Sequence, residues 1–255
     1  MNPQIFTYGE PQRLSPNKFT MDGRDFLGWA KTSGGNIAYD DTSEYTIGAA
    51  DVTLYGVWGK LVNAGNAATV IAGLEGGTRE NRNAYMIKIT DKTLTAEQLK
   101  EIGTAIRLKT TGTGWYGFIS LDLSSATELT EIPDEAFYNS RLSGLTLPAS
   151  LRTIGISAFQ TNDRFEEIVI PDNVKTIENA GFYDCSNLKT ITLPASLTSI
   201  GASAFADCVN LKTVNYKGTQ AQWEALKANI STTGYGNGKL TSAKIICTDG
   251  VINGE

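Results

Sequence analysis

The chain has 255 residues, 41% of them hydrophobic, with 22 Lys and Arg against 27 Asp and Glu, a net charge of −5 and no His. That length supplies a sizeable core and room for more than one domain, and no run of 18 apolar residues reads as a membrane span. The missing His removes Ser-His-Asp, Cys-His and His-zinc sites, and no basic patch points to DNA or RNA.

The first 60 residues read as a separate unit. Their opening, MNPQIFTYGEPQ, lacks the charged and apolar regions of a signal peptide. Phe26–Trp29 predicts a strand, Lys31–Asn36 a Gly-rich turn, and Val52–Trp58 a second strand. Phe19, Phe26, Trp29, Tyr39, Tyr45, Leu54 and Trp58 supply a small aromatic core. The run G-x-x-F-x-G-W from Gly23 to Trp29, then Gly34-Gly35, then T-L-Y-x-x-W from Thr53 to Trp58, resembles the Listeria–Bacteroides repeat. That resemblance implies a small β-grasp-like module of cell-surface proteins. The family's usual opening strand and NGG segment are missing before Met1, which implies that the module is incomplete.

Residues 61–117 read as a cap. Asn66–Leu74 predicts a short Ala-rich helix stopped at Gly76-Gly77, and Ala84–Thr90 a strand. Thr95-x-x-Gln98 is a capping box ahead of Leu99, Ile102 and Ile106 on one helical face.

Residues 118–218 repeat. Phe137, Phe159, Phe182 and Phe205 are spaced 22, 23 and 23, and Pro148, Pro171 and Pro194 are spaced 23 and 23. A fixed period of this length is the mark of stacked structural repeats. Within each copy the pattern starts at a first inward residue, Phe118, Leu142, Phe165, Leu188 or Leu211. Then comes a strand whose inward residues are Leu121 and Leu123, Leu145 and Leu147, Ile168 and Ile170, Ile191 and Leu193, or Val214 and Tyr216. In the three copies with Pro, that residue ends the strand because it has no N–H to give, and a Leu-x-x-Ile or Val-x-x-Ile run carries the chain back toward Phe. The expectation is one parallel ladder of five strands, with Ala243–Thr248 as a sixth.

The pattern P-x-x-(L/V)-x-x-I-x-x-x-(A/G)-F-x-x-C resembles the BspA-like leucine-rich repeats of bacterial surface proteins, also found in some parasitic protists. The fold expected for the chain is an α/β, β-rich leucine-rich-repeat solenoid with a parallel strand ladder and helical caps, plus the small N-terminal β-grasp-like module. Residues 219–255 form the second cap: Thr219-x-x-Gln222 is another capping box, Trp223, Leu226 and Ile230 share one face, and Asp249–Glu255 frays.

Cys185 and Cys208 occupy one repeat position a coil apart, about 5 Å if stacked in a ladder. That spacing allows a disulfide, but ladder side chains point in parallel, which favours buried thiols, with Cys247 as a third. The pairs Asp134-Glu135 and Glu166-Glu167 converge on no partner, so they read as solvated surface rather than glycosidase carboxylates. No cofactor, metal or catalytic residue is expected, and the chain is expected to be monomeric.

The positions left for binding are the outward ones of the ladder, including Ile119, Ser120, Asp122, Ser143, Gly144, Thr146 and Val169. The candidate ligand-contact face is Glu166, Glu167, Lys189, Thr190, Thr192, Lys212, Thr213 and Asn215, which runs from acidic to basic. The resemblances imply a non-catalytic extracellular binding or adhesion module, a fragment lacking its signal peptide and anchor, with a host or bacterial surface protein or glycan as partner. The competing reading is a structural spacer, since this face lacks the Trp, Tyr and Arg of binding hot spots.

Overall fold

In the computed structural model, residues 5–21, 23–31, 37–48, 52–231 and 233–253 are described. The chain divides into two compact units, Met1–Leu61 with Tyr85–Lys88, and Val62–Ala84 with Ile89–Glu255.

In the first unit, β1 (Pro11–Arg13), β2 (Asp25–Ala30), β3 (Glu44–Thr46) and β4 (Tyr55–Val62) pair antiparallel, β1 with β3 and β2 with β4. The strand expected at Val52–Trp58 starts three residues later and runs on to Val62. A bulge falls between Phe26 and Gly28. A Cβ at Gly28 would meet the Tyr39 carbonyl at 2.7 Å, so only Gly fits this approach. Phe26 packs edge-on against Trp29 and Trp58 at 5.0 and 5.2 Å, and Tyr39 against Tyr45 at 5.1 Å. Phe19, assigned to the same core, is 51% exposed. The turn expected at Lys31–Asn36 lies, after Lys31, outside the described residues.

The second unit begins with α1 (Ala64–Ala72), two residues earlier than expected because Asn63 caps it by accepting from the Asn66 N–H. β5 (Ala84–Ile89) belongs to the first unit through Tyr85–Lys88, and the second unit resumes with α2 (Ala96–Thr111), started by the reciprocal Thr95–Gln98 capping box. Leu99, Ile102 and Ile106 are fully buried, as their spacing requires.

Each repeat then contributes two strands. They are β6 (Phe118–Asp122) and β7 (Glu131–Ile132), β8 (Gly144–Thr146) and β9 (Thr153–Ile154), β10 (Glu167–Val169) and β11 (Thr176–Ile177), β12 (Thr190–Leu193) and β13 (Ser199–Ile200), and β14 (Thr213–Tyr216) alone. The Leu-x-x-Ile run read as a simple return is thus a second parallel ladder, β7-β9-β11-β13. The expected single ladder is broken: β6 pairs with β8, and β10-β12-β14 pair in a separate sheet. The break coincides with the one loop that is a residue short, five positions from Phe137 to Leu142 against six in the copies that follow.

The first copy also differs in facing. In later copies the strand begins two residues after the first apolar position, so a turn aims that residue inward. In β6 the strand begins at Phe118 itself. Strict alternation then puts Ile119 inward with Leu121 and Leu123, all fully buried, and leaves Phe118 on the opposite side, half-buried with Ser120. Ile119 and Phe118 therefore exchange their expected sides. Asp122, read as outward and solvated, is 2% exposed and accepts the Ser124 N–H at 2.8 Å.

The core centres on the recurrent Phe. Phe137, Phe159, Phe182 and Phe205 are fully buried and stack at 5.5, 5.2 and 5.4 Å, with ring planes 3°, 16° and 9° apart. The residues two before and two after each Phe have left-handed backbone: Glu135 and Asn139, Ser157 and Thr161, Ala180 and Asp184, Ser203 and Asp207, with φ from 51° to 59°. That alternation turns three successive alternate N–H groups along the stack. Ser157, Phe159 and Thr161 donate to the carbonyls of Asn179, Gly181 and Tyr183 at 2.8–2.9 Å, and Ala180, Phe182 and Asp184 to those of Ala202, Ala204 and Ala206. The polar position three after each Phe seals the same seam. Asn162 donates to the Phe137 carbonyl at 2.8 Å, Cys185 to Phe159 at 3.4 Å and Cys208 to Phe182 at 3.1 Å. The three cysteines are free and buried, and burial pushes the Cys185 thiol well up.

Both ends of the stack are covered. At the first coil, Ser140 donates to the Gly103 carbonyl of α2, and a Cβ on Gly103 would lie 1.8 Å from the Ala136 carbonyl. At the last, the Asn237 Oδ1 accepts the Phe205 N–H at 2.9 Å, where a further coil would have supplied a carbonyl. Asn237 is 4% exposed and leads into α4 (Gly238–Thr241), a single turn of helix. α3 (Gln220–Lys227) buries Trp223 against Tyr216 at 5.4 Å. β15 (Lys244–Cys247) extends the β10-β12-β14 sheet in parallel. The tail expected to fray turns at Thr248-Asp249 instead, and β16 (Gly250–Ile252) pairs antiparallel with β15. Asp249 holds the turn by accepting the Gln220 N–H at 2.8 Å.

Phe182→Ala is expected to lower unfolding free energy by about 3–5 kcal/mol, since it empties the middle of the ring stack. Thr192→Ala, on the other side of the backbone, is expected to stay within about 0.5 kcal/mol. Chemical denaturation of the two variants checks this; similar small losses would contradict the inward and outward assignment.

Candidate functional site

The outward side of the β10-β12-β14-β15 sheet holds the candidate face. Register fixes two columns across it. Glu167, Thr190, Thr213 and Lys244 lie side by side, as do Val169, Thr192, Asn215 and Ile246. Sequence reasoning missed Lys244 and Ile246, although it placed a sixth strand there, because no repeat pattern marks their facing. Glu166, Lys189 and Lys212 precede the strands, all exposed, with each lysine's N–H bonded to the carbonyl of the residue one coil back. The Lys189 Nζ lies 2.7 Å from a Glu166 oxygen. Both side chains are more than half exposed, so the pair contributes under about 1 kcal/mol. The structure thus brings together all eight predicted residues. Ser143, Gly144 and Thr146 sit on β8, on the other side of the ladder break.

The face is low in relief. Its side chains are short or charged, and Val169 and Ile246, 50% and 36% exposed, are its apolar members. Among the described residues, no group of three or more His, Cys, Asp or Glu is placed to hold a metal ion, and no helix is long and apolar enough to cross a membrane. An open depression of about 470 Å³ lies elsewhere, lined by residues that include Gly76, Gly77, Lys109 and Trp115.

Two stretches of the chain match known protein families. Residues 116–227 match the BspA-type leucine-rich repeat region in six copies, and residues 1–57 match the Listeria–Bacteroides repeat domain. No curated protein matches the chain. Similar solved structures include a leucine-rich cell surface protein from Faecalibacterium prausnitzii, 22% identical with a TM-score of 0.45, covering 57% of this chain and 35% of that one. A leucine-rich repeat protein from Bacteroides ovatus is 23% identical with a TM-score of 0.39, covering 70% and 39%. The leucine-rich repeat protein of T. pallidum is 23% identical with a TM-score of 0.36, covering 55% and 66%. The match therefore spans little more than a third of the first two relatives.

The BspA-type region has a second polar surface, on its Phe turns. Tyr183 follows Phe182, and its ring lies 6.0 Å from that of Tyr235, which is 84% exposed. Tyr235 is placed by its N–H on the Ser203 Oγ at 2.9 Å. No repeat pattern marks this contact, because Tyr235 lies outside the repeats, 52 residues on from Tyr183. Asp184 and Asp207 recur one coil apart beside the rings. Burial, then the charge of Asp207, raises the Asp184 carboxyl. The Tyr183 phenol is pushed up to about 12, chiefly by its hydrogen bond to Asp207.

The neutral phenol is the form that contact favours. The contact is complete below the ordinary phenol range and is lost as pH climbs through about 12. In NMR titration of ring-labelled protein, Tyr183 is expected to ionise above the ordinary phenol value, and Asp207→Asn to bring it down toward about 10. A Tyr183 titration unmoved by Asp207→Asn would show that the carboxylate is not its partner.

Proposed function

We propose that this chain is a non-catalytic binding module of a bacterial cell-surface protein, displayed outside the cell. In this reading residues 61–248 form one right-handed solenoid, with the repeats at 118–218 and caps at 61–117 and 219–255, and residues 1–60 form a β-grasp-like module. The partner is a surface protein or glycan of a host or neighbouring cell, bound by a monomer along Glu166, Glu167, Lys189, Thr190, Thr192, Lys212, Thr213 and Asn215.

One observation carries the reading. In-register columns hold the candidate face open to solvent, acidic at Glu166-Glu167 and basic at Lys189, Lys212 and Lys244. A graded charge along a rigid ladder gives a charged partner one preferred direction. Both repeat families are features of bacterial surface proteins, which supports the location.

A second reading has its own support. Thr190, Thr192, Thr213 and Asn215 are small, and the face carries none of the large aromatic or Arg anchors that dominate binding energy. That favours a spacer that holds other domains at a distance.

The test is a screen against host matrix proteins and a glycan array, followed by the double reversal Lys189→Glu and Lys212→Glu. The reversal is expected to weaken a ligand's binding at least about tenfold, most at low salt, where screening is least. A ligand whose affinity is untouched by the reversal places binding elsewhere and supports the spacer reading of the ladder.

A further inference from the structure

The short loop before β8 has a consequence for charge. In later copies an Asn precedes the first apolar residue and ties adjacent coils: Asn187 Nδ2 donates to the Asp163 carbonyl at 2.6 Å, and Asn210 Nδ2 to that of Ser186 at 2.7 Å. Arg164 holds this position in its own copy. The residue whose carbonyl it would meet is the one missing between Phe137 and Leu142. Its longer side chain reaches further, and Nη1 donates to the Gly117 carbonyl at 2.6 Å, with Cζ 5.3 Å from the centre of the Phe118 ring. That ring faces outward because of the reversed facing of β6.

Two more guanidiniums gather there. The Arg82 Cζ lies 5.7 Å from the centre of the same ring. Arg141 pairs in fork geometry with Asp163, Nε and Nη2 each 3.1 Å from a carboxylate oxygen. Asp163 is the carboxylate of the group, and it is engaged by Arg141. Among the described residues neither Arg82 nor Arg164 has a carboxylate partner. Three guanidiniums against one carboxylate leave this cluster with an excess of about two positive charges on a chain of net charge −5. Burial, and next the neighbouring Arg141, pulls the Arg164 guanidinium below its ordinary value, against the opposing pull of Asp163.

We propose that Arg82 and Arg164, backed by the Arg141–Asp163 pair, form an anion site for the sulfate or carboxylate group of an acidic polysaccharide. The guanidinium plane is rigid, always charged and matched to oxyanion edges, and Arg164 is already fixed by Gly117 and Phe118. A peptide partner fits less well, because the Phe118 ring that would anchor it is occupied by the two cations. The site uses none of the candidate-face residues and stands independently of that proposal.

The test uses the full chain and calorimetric titration at low salt with two probes: a heparin octasaccharide, which carries sulfates and carboxylates, and a hyaluronan octasaccharide, which carries carboxylates alone. Heparin fragment is expected to bind, and Arg82→Glu to weaken it at least about tenfold, with Arg82→Gln moving it the same way by less. The double reversal of Lys189 and Lys212 is expected to change it less than about threefold. Binding of heparin alone assigns the site to sulfate; binding of both assigns it to carboxylate as well. Arg82 is exposed, and unchanged circular dichroism of its variants separates lost binding from lost folding. Failure of both probes to bind overturns the proposal. So does an Arg82→Glu chain that binds as before, or an equal loss from the lysine reversals, which would reduce the effect to overall charge.

Discussion

The interaction on which the repeat region depends is the seam at its Phe turns. Left-handed backbone at a non-Gly residue costs on the order of 1 kcal/mol or more, and this protein accepts it twice per copy. The alternation is what aims the N–H groups of residues such as Ser157, Phe159 and Thr161 at the carbonyls of the next coil. It also places each Phe directly over its neighbour. Ring stacking, backbone bonding and the Asn162, Cys185 and Cys208 donors all serve one contact between coils. No copy can form any of it alone, which is why the array is stable only as a stack.

The same seam explains the ends. A stack must terminate in groups that imitate one more coil. Gly103 of α2 admits the backbone of Ala136 only because it has no Cβ, and the Asn237 amide replaces the missing carbonyl above Phe205. Capping is therefore specific hydrogen bonding as well as apolar cover. The helices supply the cover, with Ile102 and Ile106 at one end and Trp223 at the other.

Periodicity made most of this legible. The spacings of Phe and Pro fixed the copies, and the capping boxes at Thr95 and Thr219 fixed two helices. What periodicity could not carry was facing. Alignment with Leu142 places Phe118 inward, but it cannot see that β6 is already extended at Phe118, and the earlier start exchanges the sides of Phe118 and Ile119 while Leu121 and Leu123 keep theirs. The second ladder was hidden because its strands, such as Thr153–Ile154, are two residues long and show no alternation. The candidate face followed directly from the pattern. Its extension to Lys244 and Ile246, the Tyr183–Tyr235 contact and the arginine notch all join residues far apart in sequence, outside the repeat's own logic. The notch arises where the repeat is broken, at a one-residue deletion and a reversed ring.

The central claim is that the Phe turns bind coil to coil. Residue-resolved amide hydrogen exchange tests it most directly. The N–H groups of Phe159, Thr161, Phe182 and Asp184 are expected to exchange only with global unfolding, as slowly as those on the buried face of α2 at Ile102 and Ile106. Rapid exchange at these amides, comparable with the exposed Gly234–Gly236 loop, would contradict the account.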